Sequence, residues 1–237
     1  PSGSSDAAIF SSGTPTTVVL DQSISLQTIY FRNPGMTLTI SSGVNLAFNG
    51  SGSQSIIAEQ DATINGAGTL SSGTGTLYYE GAGKITLSLA NTYTTPTTIK
   101  AGGTVVAQNN AAFGTADSGT TVEAGGTLDV GGSMGGNALN FGTEVFTVSG
   151  SGVNGAGAIV STGASFQMNT FGRVEMAGDT TFGGTQRWDF RNNSAYLNMN
   201  SHNLTKVGNN NVVFVNTTVT PGAGNIDITS GSMQLEG

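Results

Sequence analysis

The chain has 237 residues, a net charge of −7 and 37 glycines, and it contains no cysteine. Glycine is about twice as frequent as in ordinary domains, which argues against a helical or α/β protein. The lack of cysteine excludes disulfide scaffolds, thiolate metal sites and cysteine nucleophiles, and the acidic balance without a basic cluster excludes nucleic acid as a partner.

Short stretches of alternating polar and apolar residues recur along the chain. This period of two predicts β-strands with one buried face. In chain order, the clearest are residues 37–40, 84–89, 145–148 and 225–228. Glycine-rich and asparagine-rich segments between them are typical of turns, and no convincing run of helical spacing is present. The sequence therefore predicts a nearly all-β protein.

A unit of 23 or 24 residues repeats along the chain. Residues 98–105 are matched by residues 121–128, with Ile99 and Val122 separated by 23 positions. Residues 39–46 and 63–70 follow the same strand, turn, strand order, with Ile40 and Ile64 separated by 24. This is the length of one coil of a β-solenoid. We expect a single elongated domain over residues 1–237, with about ten coils and a length on the order of 50 Å.

The segment from Asn91 to Val105 resembles the passenger-associated transport repeat of bacterial autotransporters, also called the autotransporter-associated β-strand repeat. The similarity continues through residues 111–115 and 121–130, and the clear match covers residues 85–130. The resemblance implies a right-handed parallel β-helix displayed outside a Gram-negative-type cell, as a stalk, adhesin or matrix component. It also implies that the chain is a segment of a longer exported protein.

Alternation assigns side chains to the inside or the outside of several strands. Trp188 and Phe190 are predicted to point inward, while Arg187, Asp189 and Arg191 share the other side and can pair on the surface.

Two further sets of residues receive a structural interpretation. Asn209, Asn210 and Asn211 are suited to left-handed turns or to stacked amide ladders. Seven phenylalanines are predicted to form core stacks: Phe10, Phe31, Phe48, Phe146, Phe166, Phe182 and Phe214.

Carboxylates are the residues on which a polysaccharide-cleaving enzyme would depend, because glycoside hydrolysis uses two acids on one face. Glu59 and Asp61 lie two positions apart on a predicted strand, and Asp129 or Asp227 could join an acid from an adjacent coil. A solvated strand face carries such acids without catalysis, and no basic cluster for lyase chemistry is visible. We therefore expect no enzyme activity, with a polysaccharide depolymerase as the less favoured alternative.

Other catalytic and ligand-binding patterns are weak. His202 is the only histidine and lies in a predicted turn, so a serine triad or a histidine metal site would depend on it alone. Residues 150–155 fit the pattern Gly-x-Gly-x-x-Gly, but no helix follows to hold a pyrophosphate. We predict no catalytic, metal-binding or cofactor-binding residue, and no cofactor.

Exposed tyrosines are the candidates for ligand contact. In the pairs Tyr30-Phe31 and Tyr78-Tyr79, alternation places one member outside. Tyr30 and Tyr78 are the candidate glycan contacts, and the alternative is that they are ordinary half-buried strand residues. Thr-x-Thr segments are intermittent, which disfavours the long ordered hydroxyl face that ice-binding solenoids carry.

These observations favour a non-catalytic structural protein of the bacterial cell exterior, a stalk or a filament component. We expect self-association end to end or with further repeats of the same chain, because an open coil presents unpaired backbone groups. The alternative is an adhesin that binds glycan or a host surface through Tyr and Thr. No apolar stretch is long enough to span a bilayer, and the first residues carry no leader, which indicates a mature product or an excerpt.

Overall fold

The structure is a computed structural model that describes residues 6–11, 13, 16–49, 53–132, 138–192 and 194–237. Within these residues no α-helix occurs, and one short 3₁₀ turn spans Val153–Gly155. In chain order the strands are β1 Ala7–Phe10, β2 Thr17–Leu20, β3 Ile24–Leu26, β4 Thr28–Phe31, β5 Met36–Ile40, β6 Asn45–Phe48, β7 Gln54–Ala58, β8 Ala62–Gly66, β9 Thr69–Ser72, β10 Leu77–Glu80, β11 Lys84–Leu87, β12 Thr97–Ile99, β13 Thr104–Ala107, β14 Thr120–Val122, β15 Thr127–Asp129, β16 Val145–Gly150, β17 Ile159–Val160, β18 Gln167–Phe171, β19 Arg173–Phe182, β20 Trp188–Arg191, β21 Tyr196–Asn198, β22 Leu204–Lys206, β23 Asn211–Val215, β24 Thr218–Thr220, β25 Ile226–Ile228 and β26 Ser232–Glu236.

The strands stack in parallel columns, one above another, on the sides of a solenoid. The first column is β1-β4-β7-β10-β12-β14-β16-β19-β21-β24, and the second is β2-β5-β8-β11-β13-β15-β17-β19-β22-β25. The third side holds β3-β6-β9 near one end and β18-β20-β23-β26 near the other. Ten rungs correspond to about nine full turns. The β-solenoid fold predicted from the sequence is therefore confirmed.

The register between coils agrees with the repeat in one place and departs from it in another. Ile99 pairs with Val122, as the 23-residue offset predicts. Ile64, however, pairs with Leu38 instead of Ile40, so the offset there is 64 − 38 = 26 instead of 24. Ile40 pairs with Gly66, where an added Cβ would lie 2.1 Å from the Ile40 carbonyl oxygen. Only glycine permits this close approach. The strands β5 and β8 both have five residues, and the corner after β8 is two residues shorter than the corner after β5, which restores the offset of 24 between Leu46 and Leu70.

The core is a continuous column of inward side chains. Aromatic rings lie in contact along coils five to nine, with ring centroids 4.7 Å apart for Phe190 and Phe214 and 5.1 Å apart for Phe182 and Trp188. Burial of each such side chain stabilises the fold by roughly 1.5–3 kcal/mol. Each coil therefore depends on its neighbours to cover its apolar face.

Two of the seven phenylalanines predicted to form core stacks differ from the other five. Phe166 is 57% exposed, and the core prediction for it is wrong. It precedes β18, whose first residue Gln167 takes the inward position, so alternation turns Phe166 outward. Phe10 lies on the first rung and is half-buried, although its ring stacks on Phe31 at 5.4 Å.

The three consecutive asparagines at 209–211 do not adopt left-handed turns. Gly208 provides the positive φ (76°) at that corner, and the left-handed asparagines are Asn154, Asn200 and Asn216. The predicted turn role is therefore wrong. The amide ladder is present only in part, since Asn211 Nδ2 donates to Gln234 Oε1 at 3.1 Å.

Among the described residues, coils four to six have no strand on the third side, and the side chain of a buried asparagine forms the hydrogen bonds there. Asn91 Oδ1 accepts from the Leu70 backbone N–H at 2.9 Å, and its Nδ2 donates to the Ala112 carbonyl oxygen at 2.8 Å. Its side chain thereby continues the ladder of hydrogen bonds between three successive coils. Because Asn91 is 2% exposed, water cannot replace these bonds.

We expect Asn91→Ala to lower the free energy of unfolding by about 3 kcal/mol, because it leaves a buried donor and a buried acceptor unpaired. Asn225→Ala, at an exposed position, is the matched control and should change stability by less than about 0.5 kcal/mol. Urea unfolding monitored by circular dichroism measures both. Equal stability of the two variants would contradict the ladder role of Asn91.

Candidate functional site

The outward tyrosines lie where alternation predicts. Phe31 and Tyr79 are buried, while Tyr30 and Tyr78 are half-buried on the outer face of the first column. A cation covers each ring: the Arg32 guanidinium lies 4.9 Å from the Tyr30 centroid, and Lys100 Nζ lies 5.3 Å from the Tyr78 centroid. Lys100 also pairs with Glu123 at 2.7 Å. One face of each tyrosine is thus already in contact, and glycan contact at these rings stays a prediction.

The first two candidate catalytic acids are held by two different cations. Glu59 and Asp61 follow β7 in a bend between two strands, so the prediction that they share one strand face is wrong. Glu59 pairs with Arg32 Nε at 2.8 Å, and Asp61 pairs with Lys84 Nζ at 3.5 Å.

The other two candidate acids, Asp129 and Asp227, lie in different coils. Asp129 lies in the sixth coil and accepts hydrogen bonds from Gly131 and Thr162 at 2.8 and 3.0 Å, whereas Asp227 lies on the last rung. The residues in register with these acids on adjacent coils are Val106 and Val160 for Asp129 and Thr205 for Asp227, so the register gives neither acid the carboxylate partner that was predicted.

The arginine–aspartate cluster on β20 forms as predicted, with one difference. Asp189 accepts two hydrogen bonds from Arg187, at 2.7 and 2.8 Å, and one from Arg191 at 3.1 Å. Its side chain is fully buried beneath the two guanidinium groups instead of lying exposed on the surface. Glu236 lies 3.6 Å from each arginine, so two positive and two negative charges balance.

Two buried ionisable groups, Glu144 and Lys206, were not predicted from the sequence. Glu144 is 3% exposed, and burial raises its pKa to about 8, although the hydrogen bond from Thr120 Oγ1 at 2.6 Å acts in the opposite direction. Lys206 takes an inward position on β22, and burial lowers its pKa to about 8. Its ammonium donates to the Val207, Gly208 and Ser230 carbonyl oxygens at 2.6, 3.1 and 3.4 Å. Alternation predicts which positions point inward, but it does not predict whether a polar partner lies beside an inward side chain.

His202 lies in a turn after Met199, as predicted, and its Nδ1 is 4.0 Å from Asp179 Oδ1. Among the residues that the structure describes, no three histidine or carboxylate groups converge on a common point where a metal ion could bind. The glycine-rich residues 150–155 form a corner that ends in the 3₁₀ turn and leads to β17. Their geometry is that of a turn between two strands of the seventh coil.

A row of threonine hydroxyls runs along the outer face of the second column of strands, which we call the hydroxyl column. Thr17, Thr37, Thr63 and Thr86 pair in register on four successive rungs. These threonines are 20, 26 and 23 residues apart in the sequence, so no constant spacing indicates that they align. The column ends where Val106 pairs with Thr86, so it covers only the N-terminal part of the solenoid.

The last rung carries an apolar surface. Ile226, Ile228 and Leu235 are 46%, 47% and 77% exposed, and with Phe214, Val219 and Met233 they line a depression of about 260 Å³. These side chains occupy or flank positions that the next coil covers elsewhere in the solenoid. The surface is therefore an uncovered core face.

A second and larger depression, of about 560 Å³, lies on the side of the solenoid where β20 and β23 end. It is polar, and its lining consists of Asn169, Arg191, Asn192, Ser194, Val215 and Asn216. No single sequence motif predicts it, because its residues come from three coils.

Comparison with protein-family models, with curated proteins and with solved structures finds no match for the chain. The resemblance to autotransporter repeats therefore stays a prediction. In the described part of the chain, no helix has the length and hydrophobicity needed to cross a membrane.

Glu144 makes stability depend on pH in a defined direction. The pKa of the Glu144 carboxyl is 4.5 in the unfolded chain and about 8 in the folded protein, so the folded state holds this proton more tightly. The contribution of the group to the free energy of unfolding is therefore complete below pH 4.5 and is lost as the pH rises through about 8. Glu144→Gln keeps an acceptor for Thr120 but cannot ionise. We expect the variant to gain stability over the parent across this window, on the order of 4 kcal/mol at its upper end.

Urea unfolding of parent and variant at a series of pH values measures this difference. Gln60→Ala, which changes an exposed and uncharged side chain, is the control and should keep the pH slope of the parent. A constant difference between Glu144→Gln and the parent across the series would show that Glu144 does not titrate as described.

Proposed function

We propose that the protein is a non-catalytic structural component of the bacterial cell exterior, a β-solenoid rod that lengthens by stacking end to end with further copies. The observation that carries this proposal is the match between the two terminal rungs. β1, β2 and β3 at one end and β24, β25 and β26 at the other belong to the same three sides in the same order. A second copy placed on the last rung continues every side with parallel pairing.

The chemistry of the two ends supports this stacking. Open strand edges present unpaired N–H and C=O groups that a further strand can satisfy. The last rung adds the exposed Ile226, Ile228 and Leu235, and the first rung offers the half-buried Phe10 and Leu20. The strands β1, β2 and β3 contain no charged residue, so the strands themselves place no like charge opposite Asp227 and Glu236, and the acids of the first rung, Asp6 and Asp21, flank the strands.

The arrangement of the acids supports a non-catalytic role. Glu59 and Asp61 are each held in an ion pair, and Asp129 is buried and hydrogen-bonded to the backbone. Each of these acids thus already has a partner of its own. The cell-surface location rests on the repeat resemblance and on the solenoid fold.

An adhesin that contacts glycan or a host surface through Tyr30 and Tyr78 is the second hypothesis. In its favour, both rings are partly exposed on the outer face of one sheet. Against it, Arg32 and Lys100 already contact one face of each ring.

End-to-end stacking predicts that the protein associates as its concentration rises. We expect sedimentation velocity and electron microscopy to show linear oligomers at high concentration. Leu235→Glu and Ile228→Glu place a charge in the apolar surface of the last rung, and each should raise the concentration needed for association by at least about tenfold, which corresponds to about 1.4 kcal/mol.

Phe166→Glu is the matched control, because Phe166 is an exposed aromatic residue on the side of the rod and not at its end. It should associate like the parent. A parent chain that stays monomeric at all concentrations, or a Phe166→Glu variant that loses association as strongly as Leu235→Glu, would contradict the proposal.

A further inference from the structure

We propose that the polar depression at the ends of β20 and β23 is a binding site for a neutral oligosaccharide, held by the side-chain amides of Asn169, Asn192 and Asn216. It lies on the side of coils seven to nine and is separate from the end-to-end contact. Its volume of about 560 Å³ lies within the range of small-molecule sites, about 300–1,000 Å³.

A missing side chain at Gly172 lets Asn192, a residue of the site lining, pack against the preceding coils. Asn192 Nδ2 reaches past Gly172 and donates to Asn140 Oδ1 at 3.3 Å and to the Gly142 carbonyl oxygen at 3.1 Å. A Cβ at Gly172 would lie 2.4 Å from the Gly142 oxygen and 3.3 Å from Asn192 Nδ2. Gly172 is not among the glycines with positive φ, so its role is to leave space and not to permit a turn.

The asparagines form a continuous row along this edge. The Asn140 backbone N–H donates to Asn110 Oδ1 at 2.9 Å, and Asn140 in turn accepts from Asn192. Asn192 and Asn216 follow Arg191 and Val215, which pair in register on adjacent coils. A ligand in the depression therefore meets amides at the spacing of successive coils, about 4.8 Å.

Several polar groups in the depression have no partner in the described part of the chain. Arg191 Nε is buried without a hydrogen bond, and the side chains of Asn169 and Ser194 form none there either. Ser194 and Asn216 also have left-handed backbones, with φ of 65° and 48°. Such conformations cost of order 1–3 kcal/mol and concentrate at ligand-binding positions.

The charge balance selects a neutral ligand. Arg191 is compensated by Asp189 and Glu236, so it offers no excess positive charge to an anion. Among the described residues of the lining there is no carboxylate to attract a cation, and Val215 is the one apolar residue of that set. Amide groups donate and accept hydrogen bonds at once, and so do the hydroxyls of a sugar. A hydroxyl-rich, uncharged ligand satisfies this lining best.

Isothermal titration calorimetry with neutral oligosaccharides, built from glucose, mannose, galactose or N-acetylglucosamine, tests the site, with oligogalacturonate as the charged comparison. We expect at least one neutral series to bind and oligogalacturonate to bind more weakly. Asn169→Ala and Asn216→Gly should each weaken binding by roughly tenfold, the effect of one or two lost hydrogen bonds. Glycine tolerates the positive φ at position 216, so this variant keeps the fold.

Asn225→Ala is the matched control on another face, and Tyr30→Ala and Tyr78→Ala test the competing tyrosine surface. All three should bind like the parent. The site is ruled out if no neutral oligosaccharide binds, if Asn169→Ala binds like the parent, or if the tyrosine variants lose binding while the asparagine variants keep it. Sedimentation of the same variants shows whether end-to-end association is retained, so failure of the site and failure of the stacking proposal are distinguishable.

Discussion

The structure depends on one constraint: no coil of this chain can bury its own apolar face. Each rung contributes a few inward side chains, such as Ile99 or Val122, and these are covered only by the rungs before and after. The same neighbours satisfy the backbone N–H and C=O groups through the parallel ladder. Burial and hydrogen bonding therefore act along one axis, as in other solenoid proteins.

This constraint explains why the ends of the solenoid differ from its middle. Within the solenoid, residues such as Phe146 and Leu128 are fully buried because a rung lies on both sides of them. On the last rung the equivalent face has one neighbour only, and Leu235 stays 77% exposed. The proposed stacking adds a second neighbour. The outward side chains on the sides of the rod need no neighbouring rung to cover them. Polar surfaces such as the asparagine row can therefore form there without removing apolar side chains from the core.

The sequence predicted the parts of the fold that local patterns encode. The strands near residues 37–40 and 84–89 and the register of Ile99 with Val122 follow from period-two alternation and from a close repeat. The offset of 26 between Leu38 and Ile64 could not be predicted, because it depends on the close approach of Gly66 to Ile40 of the preceding coil.

The candidate site was less accessible to sequence reasoning. The polar depression combines residues from three coils, and these residues form no motif in the sequence. Buried Asp189 and Glu144 were missed as buried groups because burial depends on which side chains cover them. Neither the number of charged residues nor the alternation of polar and apolar residues shows which side chains cover a given group.

The register of neighbouring coils can be measured directly, because the chain has no cysteine of its own. Cysteines replacing Thr37 and Thr63, which pair in register, lie about one inter-strand spacing apart and can form a disulfide. Cysteines replacing Thr39 and Thr63, the pair that a 24-residue offset would align, lie two residues out of register. Parallel stacking as described predicts rapid oxidation of the first pair and little of the second. Preferred oxidation of the second pair, or of neither, would contradict it.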